Sequence, residues 1–579
     1  MNKNTVEQLA AVIAVARRER PAELLIKGGR IVNVFTREVA AGNVAVQGGV
    51  IAGVGEAYTE GLEEIDVAGK VLIPGLIDAH IHIESTLLLP AELARAVVPH
   101  GTTAVIADPH EIANVLGVAG VEFMFAAAAG LPLDYFFTVP SCVPSTAMET
   151  AGGEIGAAQV AELLRHPRVV GLAEMMNYPG VLAAAEPVLG KIATARAGGL
   201  ILDGHAPRLG GTDLQAYIGS GISTDHECVS AAEALEKVRL GMKVIIRQGS
   251  AAKNLEALLP VVAQAGSSMF MLGSDDREVS DLLEKGHMDD ILREAVAGGC
   301  DPLAAVQMAS LNTALHYRLP RRGALAPGYR ADIVAVDDLE QFNVALVVKD
   351  GRVVSRDGVL TVEIDAPLSG GAVRRSIRLA RPAEPGDFTI PDRGAERVPV
   401  IGVIPGQIVT EKLFLEPTRS QTGAIIADPE RDLLKLAVLE RHRRSGRIGL
   451  GLVKGLGLRE GAVASSVAHD SHNLIVAGVE EEAMARAVNT LVEMEGGFVV
   501  VDRGGAVRAS LPLPVAGLMS TAPAEHVAAA LQELDAAARA QGARPEHLFQ
   551  TLSFLALPVI PHLKLTDYGL VDVDSFRLL

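Results

Sequence analysis

Pro74-Gly75-Leu76-Ile77-Asp78-Ala79-His80-Ile81-His82-Ile83-Glu84 is a short apolar run that ends in two histidines and a carboxylate. In an extended strand, residues two apart point to one face, so His80 and His82 aim together into one site, with Glu84 on the same side. Two imidazoles at one strand end make half of a transition-metal site, and imidazole suits Zn, Fe, Mn or Ni. A pair of hydrogen-bonded structural histidines would satisfy the same pattern, so the rest of the chain decides.

Downstream, the chain keeps one rhythm from about Pro74 to Tyr317. Apolar runs (TTAVIADPHE, LDYFFTVPS, VVGLAEMMN, LILDGHAP, GISTDHE, MKVIIRQGS, SMFMLGSDD) alternate with helical stretches such as AELARAVVPHG, AAQVAELLRHP and AAEALEKVRLG. With the opening run this makes eight strand-like segments, filling the about 250 residues of a (β/α)8 barrel. In that fold the C-terminal strand ends form the active face. Glu174 ends VVGLAE, His205 ends LILDGH, His226 lies in GISTDHE, and Asp275 follows SMFMLGS. Four histidines and two carboxylates at convergent strand ends are enough for two metals with a carboxylate bridge, which points to an enzyme.

The flanks read differently. Residues 1–20 begin with helical spacing from about Val6 to Arg20. Residues 21–73 break into short β runs with glycine turns, read as an antiparallel meander. The same texture returns in 319–380, so the two pieces are expected to pair into one small sandwich around the barrel of 74–318. RPAEPGDFTIPDRGAER, from 381 to 397, reads as a linker, and 398–579 as a separate C-terminal α/β domain. The fold class is thus α/β: a (β/α)8 barrel, a β-sandwich built from both flanks, and an extra C-terminal domain.

Composition sets the partners. The 579 residues carry 52 Lys and Arg against 70 Asp and Glu, a formal charge of −18. Such a chain repels phosphate backbones and excludes general nucleic-acid binding. Every apolar run is broken before the about 18 residues of a membrane span, and the first twenty residues lack a signal-peptide layout. The three cysteines (Cys142, Cys228, Cys300) form no disulfide framework. That fits a reducing cytoplasm. A homodimer or homotetramer is the default for a chain of this size.

PGLIDAHIHIEST, LDGHAP, STDHE and GSDD together resemble the amidohydrolase superfamily. ADPHEIANV (Ala107 to Val115) and SSVAHDSHN (Ser465 to Asn473) narrow the resemblance to the bacterial and archaeal adenine deaminases, over essentially the whole chain. The fourth strand agrees: GLAEMMNYPG offers Glu174 where hydantoinase-like relatives carry a carboxylated lysine. The resemblance implies hydrolysis of adenine to hypoxanthine and ammonia, as in purine salvage, on two divalent ions. Mn(II) or Fe(II) are implied, with Zn(II) a further occupant. The metal ligands are expected to be His80, His82, Glu174, His205, His226 and Asp275.

Attack of water on the purine carbon that bears the amine needs a nucleophile at neutral pH, an acid for a ring nitrogen, and a proton for the leaving amine. Two metals lower a bridging water's pKa from 15.7 toward about 7. Asp275 is placed to carry its proton to the amine. For the ring nitrogen the expected acid is Glu111, with His110 second. Glu111 serves only if desolvation outweighs the cationic field around it. Glu84, Asp276, His469, Asp470, His472 and Asn473 are expected as substrate contacts, the last four from a C-terminal domain closing over the barrel mouth. Two other readings are another aminopurine or cyclic amide as substrate, and a silent scaffold that binds no metal. Zinc deaminases of nucleic acid use a C-x-x-C pair, which this chain lacks.

Overall fold

The computed structural model describes residues 3–364, 373–421 and 423–579. Its centre is a barrel of eight strands: β1 (Leu76–Ile81), β2 (Thr102–Ala107), β3 (Asp134–Val139), β4 (Val169–Met175), β5 (Ile201–Gly204), β6 (Thr224–Asp225), β7 (Lys243–Arg247) and β8 (Phe270–Gly273). β1 to β5 pair in parallel in chain order, and so do β6 to β8. The Ser223 amide donates to the Leu202 carbonyl, joining β5 to β6. A parallel bridge between Ile81 and Asp275 closes β8 onto β1. Alternate residues fill the interior, where Ile77, Ala79, Ala104, Ile106, Ile245 and Met271 pack together. The other face of each strand packs against the helices that return the chain, as a parallel barrel requires.

The flanks meet in one sheet. Val71–Pro74 pairs antiparallel with Ile333–Val336, which joins strands before and after the barrel into a nine-stranded sheet. The meander is antiparallel only through Ala22–Asn33, Glu38–Gln47 and Val50–Gly55. Gly61–Asp66 and Val71–Pro74 pair with the first strand in parallel instead. The loop after Gly55 carries the chain across to the far side of the first strand, and a return on that side runs parallel. The opening helix spans Lys3–Ala16, short of Arg20, and packs Val12 and Val15 onto Leu25, Ala45 and Ala52. Residues 365–372, part of the expected sandwich piece, lie outside the described residues.

The Pro-rich stretch 381–397 is packed rather than free. Phe388 is fully buried against Ala437, Leu439 and Leu491, and Ile390–Pro391 pairs with Ala424–Ile426. One large aromatic is enough to anchor a segment whose composition is otherwise that of a linker. Beyond it runs an eight-stranded sheet with Glu481–Glu493 on one face. Its other face, with Leu436, Val463 and Ile475, belongs to the same apolar core as the barrel, and so do Leu552 and Phe554. Among the described residues no helix is long and apolar enough to cross a membrane.

Candidate metal centre and active site

Position in the site follows from strand geometry. His80 and His82 leave the end of β1 on one side, with their Nε2 atoms 3.2 Å apart. Glu174 rises from β4, and Oε1 lies 3.3 Å from His82 Nε2 and 3.8 Å from His80 Nε2. Its other oxygen, Oε2, lies 2.5 Å from His205 Nδ1 and 3.1 Å from His226 Nε2. One carboxylate is therefore divided between two histidine pairs. Asp275 completes the first pair, with Oδ1 3.4 Å from His80 Nε2 and 3.1 Å from His82 Nε2. It sits just past β8 at φ 56°, a left-handed turn that aspartate tolerates. Its amide donates to the His80 carbonyl at 2.8 Å, and its carbonyl accepts from the His82 amide at 3.2 Å. All six side chains are buried.

The groups behind them set orientation. His82 Nδ1 faces the Asp108 carbonyl at 3.1 Å. A carbonyl only accepts, so Nδ1 carries the ring proton and Nε2 presents its lone pair to the centre. Asp78 accepts from the His80 and Ser274 amides at 3.1 Å each, tying β1 to β8. Arg247, at the end of β7, donates to Asp275 Oδ2 at 3.0 Å and also pairs with Glu227. Glu227 follows His226 and lies 3.6 Å from its Nε2. Sequence reasoning passed over Asp108, Glu227 and Arg247. The strand-end rule that found Glu174 would have found Arg247, the last residue of VIIR.

Glu111 lies in the first turn of His110–Leu116, after β2. His110 is held by Asp108 at 2.9 Å through Nδ1, and its Nε2 lies 3.4 Å from Glu111 Oε1. The C-terminal domain supplies the rest: His469 Nδ1 is 2.7 Å from Glu111 Oε1, and His472 Nε2 abuts Oε2. Burial pushes the Glu111 carboxyl up, but His469 and His472 outweigh it and hold it well below the usual carboxylate range. Glu111 alone therefore does not meet the condition for a resting acid. His469 is drawn up to about 9 against its burial, by Glu111 first and then by Asp276 and Asp470, so the proton of this pair rests on the imidazole.

The remaining expected contacts divide. His469 and Asp470 line the pocket, together with Asp276 and the apolar Ile408, Phe554, Leu557 and Ile560. Asp276 accepts from the Ser85 hydroxyl. Glu84 does not line the pocket: the chain turns into a 3-10 helix at Ile83–Thr86, and Glu84 braces the Ile112 amide at 3.1 Å. His472 is fully buried behind Glu111. Asn473 is tied to backbone instead of facing the pocket, accepting from the Arg441 amide at 3.2 Å and donating to the Thr150 carbonyl at 2.9 Å. The loop's tight turn at His472, φ 52°, leaves the neighbours His469 and Asp470 on the pocket and turns His472 and Asn473 away from it.

Comparison with known proteins gives the family. Residues 71–354 match the amidohydrolase family model, and residues 407–577 match the adenine deaminase C-terminal domain model. The adenine deaminase of Methanothrix thermoacetophila is 48% identical over 565 residues, 98% of each chain. That of Desulfatibacillum aliphaticivorans is 47% identical over 566 residues, again 98% of each. That of Dehalococcoides mccartyi is 48% identical over 572 residues, 99% of each. The chain belongs to the adenine deaminase family. The boundary of the adenine deaminase C-terminal model has a plain physical meaning here. Ile408, His469, Asp470, Phe554, Leu557 and Ile560, which wall the pocket opposite the barrel, all fall inside it.

Proposed function

We propose that the protein deaminates adenine, consuming one water and releasing hypoxanthine and ammonia, on two divalent metal ions held by His80, His82, Glu174, His205, His226 and Asp275. The division of Glu174 between two histidine pairs carries this reading, within a family whose relatives share the whole length of the chain. The donor set fits a cation. Around the His82 Nε2 lone pair gather Asp275 Oδ1, Glu174 Oε1 and His80 Nε2, while His205 Nδ1 and His226 Nε2 both face Glu174 Oε2. Acceptors crowded together without protons to share call for positive charge. The set is imidazole and carboxylate with no thiolate, which accommodates Mn(II), Fe(II) or Zn(II); the preference for Mn(II) or Fe(II) comes from the family resemblance. When bound, such ions lower the pKa of a shared water from 15.7 toward about 7 and so supply a nucleophile at neutral pH.

The chain's own groups do the rest. Asp275 Oδ1 takes a proton from the attacking water and returns it to the departing amine, while Arg247 holds Oδ2 away from the reaction. The proton for the ring nitrogen is held in the contact between His469 Nδ1 and Glu111 Oε1, with His110 beside it. Asp276, set by Ser85, accepts from the purine edge. Ile408, Phe554, Leu557 and Ile560 cover the ring and exclude water. In this division of labour residues 74–318 form the catalytic unit and 398–579 its cover. The test is adenine turnover by Mn(II)-loaded protein beside a metal-stripped control, with ammonia and purine absorbance both followed. Metal-dependent conversion to hypoxanthine is expected. Bound metal without adenine turnover would move the substrate to another aminopurine or a cyclic amide.

A further inference from the structure

The loop between the strands Ala462–Ser465 and Leu474–Gly478 is held from several sides. The His472 amide donates to the Ala468 carbonyl at 2.7 Å, and the Ala468 amide points back at His472 Nδ1, 3.1 Å away. A backbone N–H has nothing to do but donate, so Nδ1 must offer a lone pair, and the proton of the neutral ring sits on Nε2. Nε2 is the atom that abuts Glu111 Oε2. Two further groups keep the ring neutral and in place. Arg441 is wholly buried and, among the described residues, has no carboxylate partner; its guanidinium donates to the His472 carbonyl, to the Ala516 carbonyl at 3.0 Å and to Ser376 Oγ at 3.1 Å. A positive charge so close disfavours a second one on the imidazole. His442 Nε2 meets the Ser471 carbonyl at 2.7 Å.

Glu111, His469 and His472 also have the composition and spacing of a metal-binding triad. The tautomer argues against that use, because the Nε2 lone pair a metal would need is occupied by a proton. We propose that His472 is a positioning residue: a neutral imidazole, locked with its proton on Nε2, that pins Glu111 Oε2 and leaves Oε1 for His469 and the reacting purine. The C-terminal domain thus aims a barrel side chain through a residue that never meets the substrate. This rests on the role given above to the Glu111–His469 pair.

The test uses full-length protein loaded with Mn(II), and compares His472→Gln and His472→Leu with the parent. Glutamine keeps an N–H donor near the position of Nε2, and leucine keeps only bulk. We expect His472→Leu to lower kcat by about 10- to 100-fold, with KM for adenine within about threefold and metal content unchanged, and His472→Gln to recover most of the loss. A raised KM at constant kcat would make His472 a substrate contact and overturn the proposal. So would a third metal equivalent in the parent that His472→Leu lacks, or a glutamine variant no better than leucine at equal thermal stability. A second readout does not depend on turnover, so a failure of the adenine reading stays separate. In the ring-15N spectrum of metal-free, histidine-labelled protein, the signal lost in His472→Gln is expected at the shifts of a neutral Nε2–H tautomer. A doubly protonated ring, or one protonated on Nδ1, would overturn the proposal.

Discussion

Glu174 joins two halves of a site with one side chain, so replacing it separates functions that otherwise move together. Glu174→Gln keeps the shape and removes the negative charge that both histidine pairs share. The expected result is loss of at least one metal equivalent and a fall in turnover of at least about a hundredfold, checked by metal analysis beside adenine assays. Glu111→Gln is expected to behave differently. It lies outside the six-ligand set, so metal content holds at the parent value while kcat drops by about 10²- to 10⁴-fold, the range of a lost acid–base group; a variant that loses metal as well would remove Glu111 from the proton path. The six ligand candidates were readable because strand periodicity and the strand-end rule fix where such residues converge. His472 and Asn473 were readable as polar residues but not as to direction, since a left-handed turn at His472 carries no repeating pattern from which a face is inferred. Arg247 also ends an apolar run, but a lone arginine carries no metal-ligand chemistry that would mark it as part of the site.

At the scale of the element, the second histidine pair depends on how closely β5 and β6 approach. A Cβ built on Gly204 would lie 2.3 Å from the Thr224 carbonyl, so any side chain there forces the two strands apart. Gly204→Ala should shift His205 and His226 away from Glu174 Oε2 while leaving His80 and His82 in place. The expected signature is weakened binding of one metal of the two, seen as a biphasic titration with Mn(II). Uniform loss of both would show that the two positions are not independent. The eight barrel strands were legible as apolar runs ending in polar residues, and all eight lie where the runs lie. The flanking sheet was legible as strands, but not in which pairs run parallel, because the five-residue connection at 56–60 and the two-residue turn at 48–49 look equally polar. The stretch 381–397 failed as a linker through one residue: Phe388 outweighs its neighbours' prolines and charges once a cavity exists to receive it.

Across the whole molecule, the barrel and the C-terminal domain are clasped beside the site. Thr150 donates to Asp567 through its amide at 2.9 Å and its hydroxyl at 2.7 Å, and Asn473 reaches the Thr150 carbonyl. Within this clasp Glu149 is buried, accepts from Ser145 Oγ at 2.6 Å, and faces Asp470, Ser471 and Asp567. Burial raises its pKa from 4.5 to about 8, Asp470 and Asp567 adding to the rise against the Ser145 and Ser471 hydrogen bonds. The folded chain therefore holds a proton there that the unfolded chain has released. That contribution is complete below the unfolded value of 4.5 and is lost as pH climbs toward about 8, at no more than about 1.4 kcal/mol per pH unit. Glu149→Gln cannot lose it. Between pH 5 and 9, tested in steps, the melting temperature of the parent should fall relative to the variant; parallel curves would place the Glu149 proton elsewhere.

That clasp also has a history in time. Thr150 and Asp567 stand 417 positions apart, which at about 5–20 residues per second separates their synthesis by roughly 20–80 s. Every residue proposed as a metal ligand is upstream of residue 276, and the pocket's cover is made last. The last of the donors proposed to hold metal is therefore synthesised well before the residues that cover them.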